Sequence, residues 1–495
     1  MVFGFSDRRF FATVVLGSVV GVLTAASAGV AQDPGGLPES PRVTPLVRVI
    51  HNSERAVVSL FVPMEGQLVS GSGTIIHAAG FVLTNNHVLP KDDGLALIGA
   101  DLPEQQRPER FRVVGRLPEK DLAIVKLLSN GPFPVVPLGR SDDVMNGEQV
   151  VVAGNPGGRG AVFTSGIISA RNVLSGAPNA LVMTNYRNSR RDTYIQFDAA
   201  SNGGNSGGGL INMEGNLIGV VWGGIRQEQN VGYAIPADVV HQLAEEIVEP
   251  ELQSRRAVGV TLKPETIGLM VNEVVDESAA EAAGIQAGDE LISVNGESLR
   301  NRVDWNLALY RLLPTGHPLR VGLKRGGERH EVEIRSKELQ PTQPTLTDAE
   351  SLKPGLRCRF YHGRYSLLPN FADLTPERET IVGTVNLSEI RQDRTDEFAV
   401  ELTGYLRVTQ PGLHRITVLS DDGSKLFLND REIIDNDGNH HPQPRSRLVY
   451  AAPGLHQLRL LYFEGNGFEE LQLLLQTPDG KQQPVTAELL WHKPE

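Results

Sequence analysis

Ser206 stands in the stretch DAASNGGNSGGGLIN, with Gly203 and Gly204 before it and Gly207, Gly208 and Gly209 after it. A glycine-rich surface loop would account for that composition and would need nothing elsewhere in the chain to match it. A nucleophilic hydroxyl needs more. Its neighbours must turn their N–H groups toward a reacting oxygen, which glycine permits. It also needs a base, and a carboxylate to orient that base. Both residue types occur upstream. His87 follows the strand-like run of SGSGTIIHAAGFVLTNNHVLP, and Asp121 opens the apolar run of PEKDLAIVKL. His77 is a second candidate base, but its glycine-flanked turn predicts a solvated side chain. Each residue alone fits an ordinary turn or core position. In the order His, Asp, Ser, each at the edge of a β run, the three point to a catalytic triad for acyl transfer.

The elements that must position them are short. From about Val47 to Ile235, runs such as AVVSLFV, GFVLTNN, DLAIVKLL, EQVVVAGNP, TSGIISA and GNLIGVVWGG alternate with Gly, Pro and Asn, the spacing of an all-β barrel or sandwich. PADVVHQLAEEIVEP then changes period. Val239, Val240, Leu243, Ala244, Ile247 and Val248 share one helical face, and Pro250 is expected to end that helix. A mixed α+β unit follows, then a Pro/Thr-rich stretch that reads as a linker. The last unit alternates apolar and polar residues and predicts an antiparallel sandwich. The boundaries read from the sequence are 1–31 (export segment), 32–46 (linker), 47–250, 251–337, 338–354 (linker) and 355–495.

A chain of 495 residues predicts about three domains. A net charge of −12 gives no cationic field for phosphates, which argues against a nucleic-acid partner. The one cysteine, Cys358, excludes an internal disulfide and is expected to be a small buried hydrophobe. Arg8 and Arg9 precede an uncharged, apolar run from Phe10 to Ala31, with small-residue cleavage options after Ala28 and Ala31. This predicts export, to the periplasm or cell envelope, with a retained membrane anchor as the competing reading.

The motifs SGSGTIIHAAGFVLTNNHV, DLAIVKL, LGRSDDVMNGEQVVVAGNPGG, TSGIISA, GNSGGGLIN and VGYAIPADVV occur in order between Val47 and Val248. This region resembles the HtrA/DegP family of exported serine proteases. The resemblance implies a trypsin-like double β-barrel with Ser206 as nucleophile, His87 as base and Asp121 as its orienting acid. It places the oxyanion hole on the backbone of Gly204, Asn205 and Ser206. It puts Ala200 at the base of the specificity pocket and turns Asp198 away from it. A buried cation would lack a partner there, so the residue before the scissile bond is expected to be small or aliphatic. Implied partners are unfolded or C-terminally tagged proteins, with a homotrimeric assembly and no cofactor for catalysis. Gly209 departs from the proline usual in the family.

GLMVNEVVDESAAEAAGIQAGDELISVNGESL resembles a PDZ domain, with Ala257, Val258, Gly259 and Val260 where the family binds a peptide carboxylate and adds the peptide as a strand. PGLRCRFYHG, FAVELTGYLRV, GLHRITVLSDDGSKLFLNDREIIDNDG and PGLHQLRLLYFEG resemble the protective-antigen-type (PA-fourteen) β-sandwich. In that family's lectins a paired aspartate binds Ca²⁺ and, through it, a glycan. The pair here would be Asp421 and Asp422, with Asn436 and Asp437 offering further oxygens, in a site open to water. The alternative is a plain turn. The EF-hand template fails, since its final ligand position falls on Ser446. The fold class is therefore mainly β: a double barrel, a PDZ domain and a sandwich. The rival function is a non-proteolytic chaperone, or a glycan- and peptide-binding protein on a protease scaffold. Such a scaffold would be free to lose a triad residue, and none is lost.

Overall fold

Runs of apolar residues broken by turn residues close into two barrels. The computed structural model describes residues 37–494, apart from 65–66, 92, 99–106, 159, 175–192, 202–203, 225–229, 264–267, 347–350, 392–395, 441, 466 and 468. The expected export segment, the first part of the 32–46 linker, Gly203 and His441 lie outside the described residues. No described helix is long and apolar enough to cross a membrane.

A helix, α1 (Pro45–Ser53), capped by the Thr44 side chain, leads into the first barrel and begins inside the expected linker. The strands are β1 (Val57–Met64), β2 (Gln67–His77), β3 (Phe81–Thr84), β4 (Asp93–Ile98), β5 (Arg107–Leu117) and β6 (Leu122–Leu127), closed in the order β1-β2-β3-β6-β5-β4. The second barrel comprises β7 (Gln149–Gly154), β8 (Val162–Leu174), β9 (Thr193–Phe197), β10 (Gly209–Asn212), β11 (Leu217–Gly224) and β12 (Gly232–Pro236), in the order β10-β11-β12-β9-β8-β7. Strands β3 and β6 are buried almost throughout. They read as continuous apolar runs because one face fills the barrel and the other is covered by packed elements.

The helix expected to end at Pro250 is three short pieces: α2 (Ala237–Gln242), α3 (Ala244–Val248) and α4 (Pro250–Ser254). Pro250 starts a helix, because a ring that lacks an N–H suits the first helical position. Glu249 makes the break in a left-handed conformation (φ 45°).

The second domain contains β13 (Arg256–Ala257), β14 (Val260–Leu262), β15 (Val271–Val274), α5 (Ala279–Ala282), β16 (Glu290–Val294), β17 (Glu297–Ser298), α6 (Arg302–Leu312), β18 (Leu319–Arg325), β19 (Glu328–Ile334) and β20 (Lys337–Glu338). Helix α6 is buried on both sides. Val303 and Leu307 pack into the first barrel's core, while Trp305, Ala308 and Leu309 pack into the domain's own core. His77, expected in solvent, is buried beneath this domain. Its Nε2 lies 2.8 Å from Glu297 Oε1, and Arg311 holds the other oxygen of Glu297 at 2.5 Å. Those contacts hold the Glu297 carboxyl down at about 2.

The third domain has β21 (Lys353–Pro354), β22 (Leu356–His362), β23 (Arg378–Val382), β24 (Phe398–Val408), β25 (Gly412–Asp421), β26 (Ser424–Leu428), β27 (Arg431–Asn436), β28 (Gln443–Ala451), β29 (Gly454–Glu464), β30 (Glu470–Gln476), β31 (Gln482–Pro484) and β32 (Leu490–His492). They form an eight-stranded and a four-stranded antiparallel sheet packed face to face. Cys358 lies fully buried between them, and burial pushes its thiol up to about 12. The stretch 338–354 is not a free tether. Thr342 N donates to Tyr450 O at 2.8 Å, Leu346 bridges Leu455, and β21 pairs with β32.

Candidate active site

The end of β3 and the start of β6 are neighbours in one ladder, with Thr84 opposite Ala123. The turns beyond them therefore meet. His87 sits on a single helical turn after β3, and Asp121 holds a left-handed conformation (φ 51°) just before β6. Asp121 Oδ1 accepts the His87 backbone N–H at 2.8 Å, and Oδ2 lies 2.6 Å from His87 Nδ1. An ionised carboxylate only accepts, so Nδ1 carries the proton and Nε2 keeps its lone pair. The hydrogen bond that Nδ1–H donates to Asp121 raises the His87 pKa above the usual 6.5, against partial desolvation. Arg116 clamps the turn from β5, bonding Asn86 Oδ1 at 3.0 Å and Leu89 O at 2.6 Å.

Ser206 comes from the second barrel, on the loop before β10. Its backbone crosses the seam between the barrels: Ser72 N donates to Ser206 O at 2.9 Å. Gly207 lies against Thr84 and Asn85, the residues that lead into His87. A Cβ there would meet Thr84 Oγ1 at 2.2 Å and Ser72 O at 2.3 Å, with φ already at +83°. Its glycine is thus required by close approach as well as by conformation. The Ser206 hydroxyl donates to Trp222 O at 3.2 Å. Among the described residues no hydrogen bond joins it to His87. Attack requires the hydroxyl to leave Trp222 O for His87 Nε2.

The glycine frame also answers for the oxyanion. Gly204 has φ +104°, open to glycine and strained for other residues. Its carbonyl accepts from Ser72 Oγ at 2.6 Å, and the Asn205 carbonyl accepts from Gly208 N at 2.9 Å. In a trans peptide the N–H opposes the C=O. These two bonds therefore fix the directions of the Asn205 and Ser206 N–H groups. Among the described residues, nothing accepts from the N–H of Gly204, Asn205 or Ser206. A preorganised donor of this kind contributes ~3 kcal/mol to a developing oxyanion.

Ser72 is the residue that sequence reasoning missed. Fully buried, it also accepts from Asn155 N at 2.8 Å through Oγ and from Thr84 Oγ1 at 2.7 Å through its carbonyl. One residue thus ties β2, β3, β7 and the nucleophile loop. A sequence signal was present: a polar residue flanked by glycines inside a strand marks a close backbone approach.

Ala200 is exposed, and its carbonyl accepts from Thr164 Oγ1 at 2.7 Å. Asp198 Oδ1 accepts from Ile167 N at 2.6 Å, so its carboxylate is engaged with β8.

The pair Asp421 and Asp422 is not on an open loop: both residues are buried, at 5% and 4% exposure. Glu464, fully buried at the end of β29, joins them, and one oxygen from each of the three lies within 4.8 Å of the others. Asp422 accepts from His440 N at 3.0 Å and Gly465 N at 2.9 Å. Glu464 Oε2 accepts from Tyr462 Oη at 2.6 Å, while its Oε1 has no protein partner among the described residues. Burial, then the neighbouring negative charges, pushes Asp421 up to about 7; burial does the same to Glu464, up to about 8. One side-chain oxygen of each of Asn436 and Asp437 already accepts a hydrogen bond. Arg445 Nε takes Asn436 Oδ1 at 3.0 Å, and Leu368 N takes Asp437 Oδ1 at 2.8 Å.

At the expected peptide seat two donors have a partner within the chain. The N–H groups of Val258 and Gly259 already donate to Glu251 Oε1, at 2.7 and 3.2 Å.

Two barrels that share a His–Asp pair and a glycine-framed serine at their seam define the trypsin-like serine peptidase fold. The chain matches the trypsin-like peptidase domain over residues 71–220, the PDZ domain over 257–335 and the PA14 domain over 352–488. In chain order these are a trypsin-like peptidase domain, one PDZ domain and a C-terminal PA14 domain. It is 33% identical over 303 residues to the periplasmic serine endoprotease DegP of Salmonella typhimurium, and 32% identical to that of Escherichia coli K12. Each match covers 58% of this chain and 60% of the relative, so the chain spans less than two thirds of these relatives' length. A serine endoprotease structure from Yersinia pestis is 27% identical, with a TM-score of 0.35, covering 62% of this chain and all of that one.

Proposed function

We propose that this protein is an exported, periplasmic serine endopeptidase that cleaves unfolded or tagged proteins through an acyl-enzyme. The observation that carries this reading is Asp121 gripping both the backbone and Nδ1 of His87, which fixes the base in the tautomer that removes a proton. Ser206 Oγ attacks the peptide carbonyl while His87 Nε2 takes its proton and then delivers it to the leaving amine. Water repeats the cycle on the ester. The N–H groups of Gly204 and Ser206 meet the oxyanion. With Ala200 at the pocket and Asp198 engaged elsewhere, cleavage follows small or aliphatic residues. Export and a periplasmic site are supported by the DegP relatives, which are named periplasmic endoproteases.

A fluorophosphonate probe is expected to label the full chain at Ser206, with pretreatment blocking casein hydrolysis. Intact chain that neither labels nor cleaves would favour the non-proteolytic reading.

The carboxylates Asp421, Asp422 and Glu464 suit a hard divalent cation, and Ca²⁺ is the ion we assign to them. Three buried anions repel one another unless a cation or protons intervene. A hydroxyl pair of a glycan would complete the cation's shell. Titration calorimetry of the full chain is expected to show one Ca²⁺ site tighter than about 10⁻⁴ M, the weak extracellular range, because all three ligands are already assembled. Replacing Asp421 and Asp422 by asparagine should remove it. No heat at millimolar Ca²⁺ would leave the pair as a structural turn.

A further inference from the structure

Glu251 is on α4, the short helix between the protease barrels and the PDZ domain. One carboxylate oxygen accepts from two successive N–H groups, those of Val258 and Gly259. These are donors of the loop that would capture a peptide's terminal carboxylate. Strand β14 beside them pairs with β15 alone among the described residues. The edge on which a peptide would add as a strand therefore has no strand on it, while the seat for its carboxylate is filled by a carboxylate of the same chain.

We propose that Glu251 is an internal plug of the PDZ carboxylate seat, so that a C-terminal peptide binds only by displacing it. The inference rests on the peptide-binding reading of this domain. The plug's helix is held from two sides, by the first barrel and by the sandwich. Gln253, two residues along α4, donates to Val114 O of β5 at 2.8 Å. Glu249, at the start of α4, accepts from Leu448 N of the sandwich at 3.2 Å and lies 3.8 Å from Arg415. Glu246, on α3, is paired with Arg447. The PDZ domain is fixed against the barrel by the contact of His77 with Glu297 and by the burial of α6. Neither the loop nor the helix is free to drift, so the Glu251 carboxylate stands beside its donors without a search.

An incoming carboxylate must take over the same two N–H groups and approach a like charge. Its apparent affinity is then reduced by the fraction of molecules in which the seat is open. Removing the carboxylate should restore the intrinsic affinity. Only ligands with a free terminal carboxylate should gain, because an amidated end has no charge to place there.

The test uses full-length protein carrying Ser206→Ala, so that peptides are not cut. The probe is a dye-labelled pool of decapeptides with an aliphatic last residue, as free acid and as amide, read by fluorescence anisotropy. Glu251→Ala is expected to tighten the free-acid pool at least tenfold and leave the amidated pool unchanged. Glu251→Gln keeps the shape and one accepting oxygen, and should give a smaller gain. It also serves should the alanine variant not fold. Equal affinity of the free-acid pool for the parent and both variants overturns the plug while leaving the peptide site standing. Absence of binding to all three proteins overturns the peptide-site reading and the plug with it. A gain shared equally by the amidated pool also overturns the proposal, since it would mark a general loosening of the groove.

Discussion

Replacing Ser206 by alanine is expected to lower kcat for casein by about 10⁶-fold, to the residue left by binding and oxyanion donors alone. Ser206 is the hydroxyl pinned at the barrel seam, with its own carbonyl held by Ser72 and its successor packed on Thr84. Among the described residues its Oγ makes one hydrogen bond, to Trp222 O at 3.2 Å. That is a partly exposed, neutral contact, so its loss should cost the fold little, within about 0.5–1.5 kcal/mol. Thermal unfolding should therefore stay near that of the parent while turnover disappears. Residual turnover within tenfold of the parent would remove Ser206 from the chemistry.

Asp121→Asn is the second large effect. A drop of about 10⁴ in kcat is expected, as in trypsin-like triads. The geometry gives the reason. Asp121 uses one oxygen for the His87 backbone N–H and the other for Nδ1. Asparagine has a single oxygen, and the backbone N–H can only be met by that oxygen. Its NH₂ then faces Nδ1, which must accept, and the imidazole proton moves to Nε2. The base is lost without any change of shape. A second readout follows from the same bond. Asp121 raises the His87 pKa above 6.5, chiefly through this hydrogen bond. Activity needs neutral His87, so the acid limb of kcat/KM for the parent should fall above pH 6.5. In the variant's residual activity that limb should move to lower pH. A loss of less than tenfold, with the limb unmoved, would separate Asp121 from His87 in function.

Much of this was legible in the chain order. Short apolar runs set off by turn residues indicated an all-β barrel or sandwich, because a strand's apolar run and its bounding turns are local signals, and the double barrel was implied only by the family resemblance. Ser206, His87 and Asp121 each stand at an edge of such a run, and that placement selected them only together with the glycines around Ser206 and the chain order His, Asp, Ser. The Thr84–Ala123 pairing that joins the last two was not in that pattern and is seen only in the barrel's ladder. Local patterns also misled in places. Pro250 in an amphipathic run reads as a stop, yet it starts α4, because Glu249 turns the chain in a left-handed conformation and proline suits the first helical position.

Tertiary structure alone decided the partners. Ser72 and Gly204 are 132 positions apart, and His77 and Glu297 are 220 apart. Periodicity carries no information over such distances. Which donor meets which acceptor depends on how barrels and domains dock, and a buried polar group takes whatever partner the docking brings. Glu464 joins Asp421 and Asp422 because β29 ends beside the β25–β26 turn, although the charge pattern of the pair gave no sign of a third carboxylate. In the sequence Glu251 falls just past the helix expected to end at Pro250, with nothing to mark it. Only the docking of the PDZ loop onto α4 makes it the occupant of a carboxylate seat.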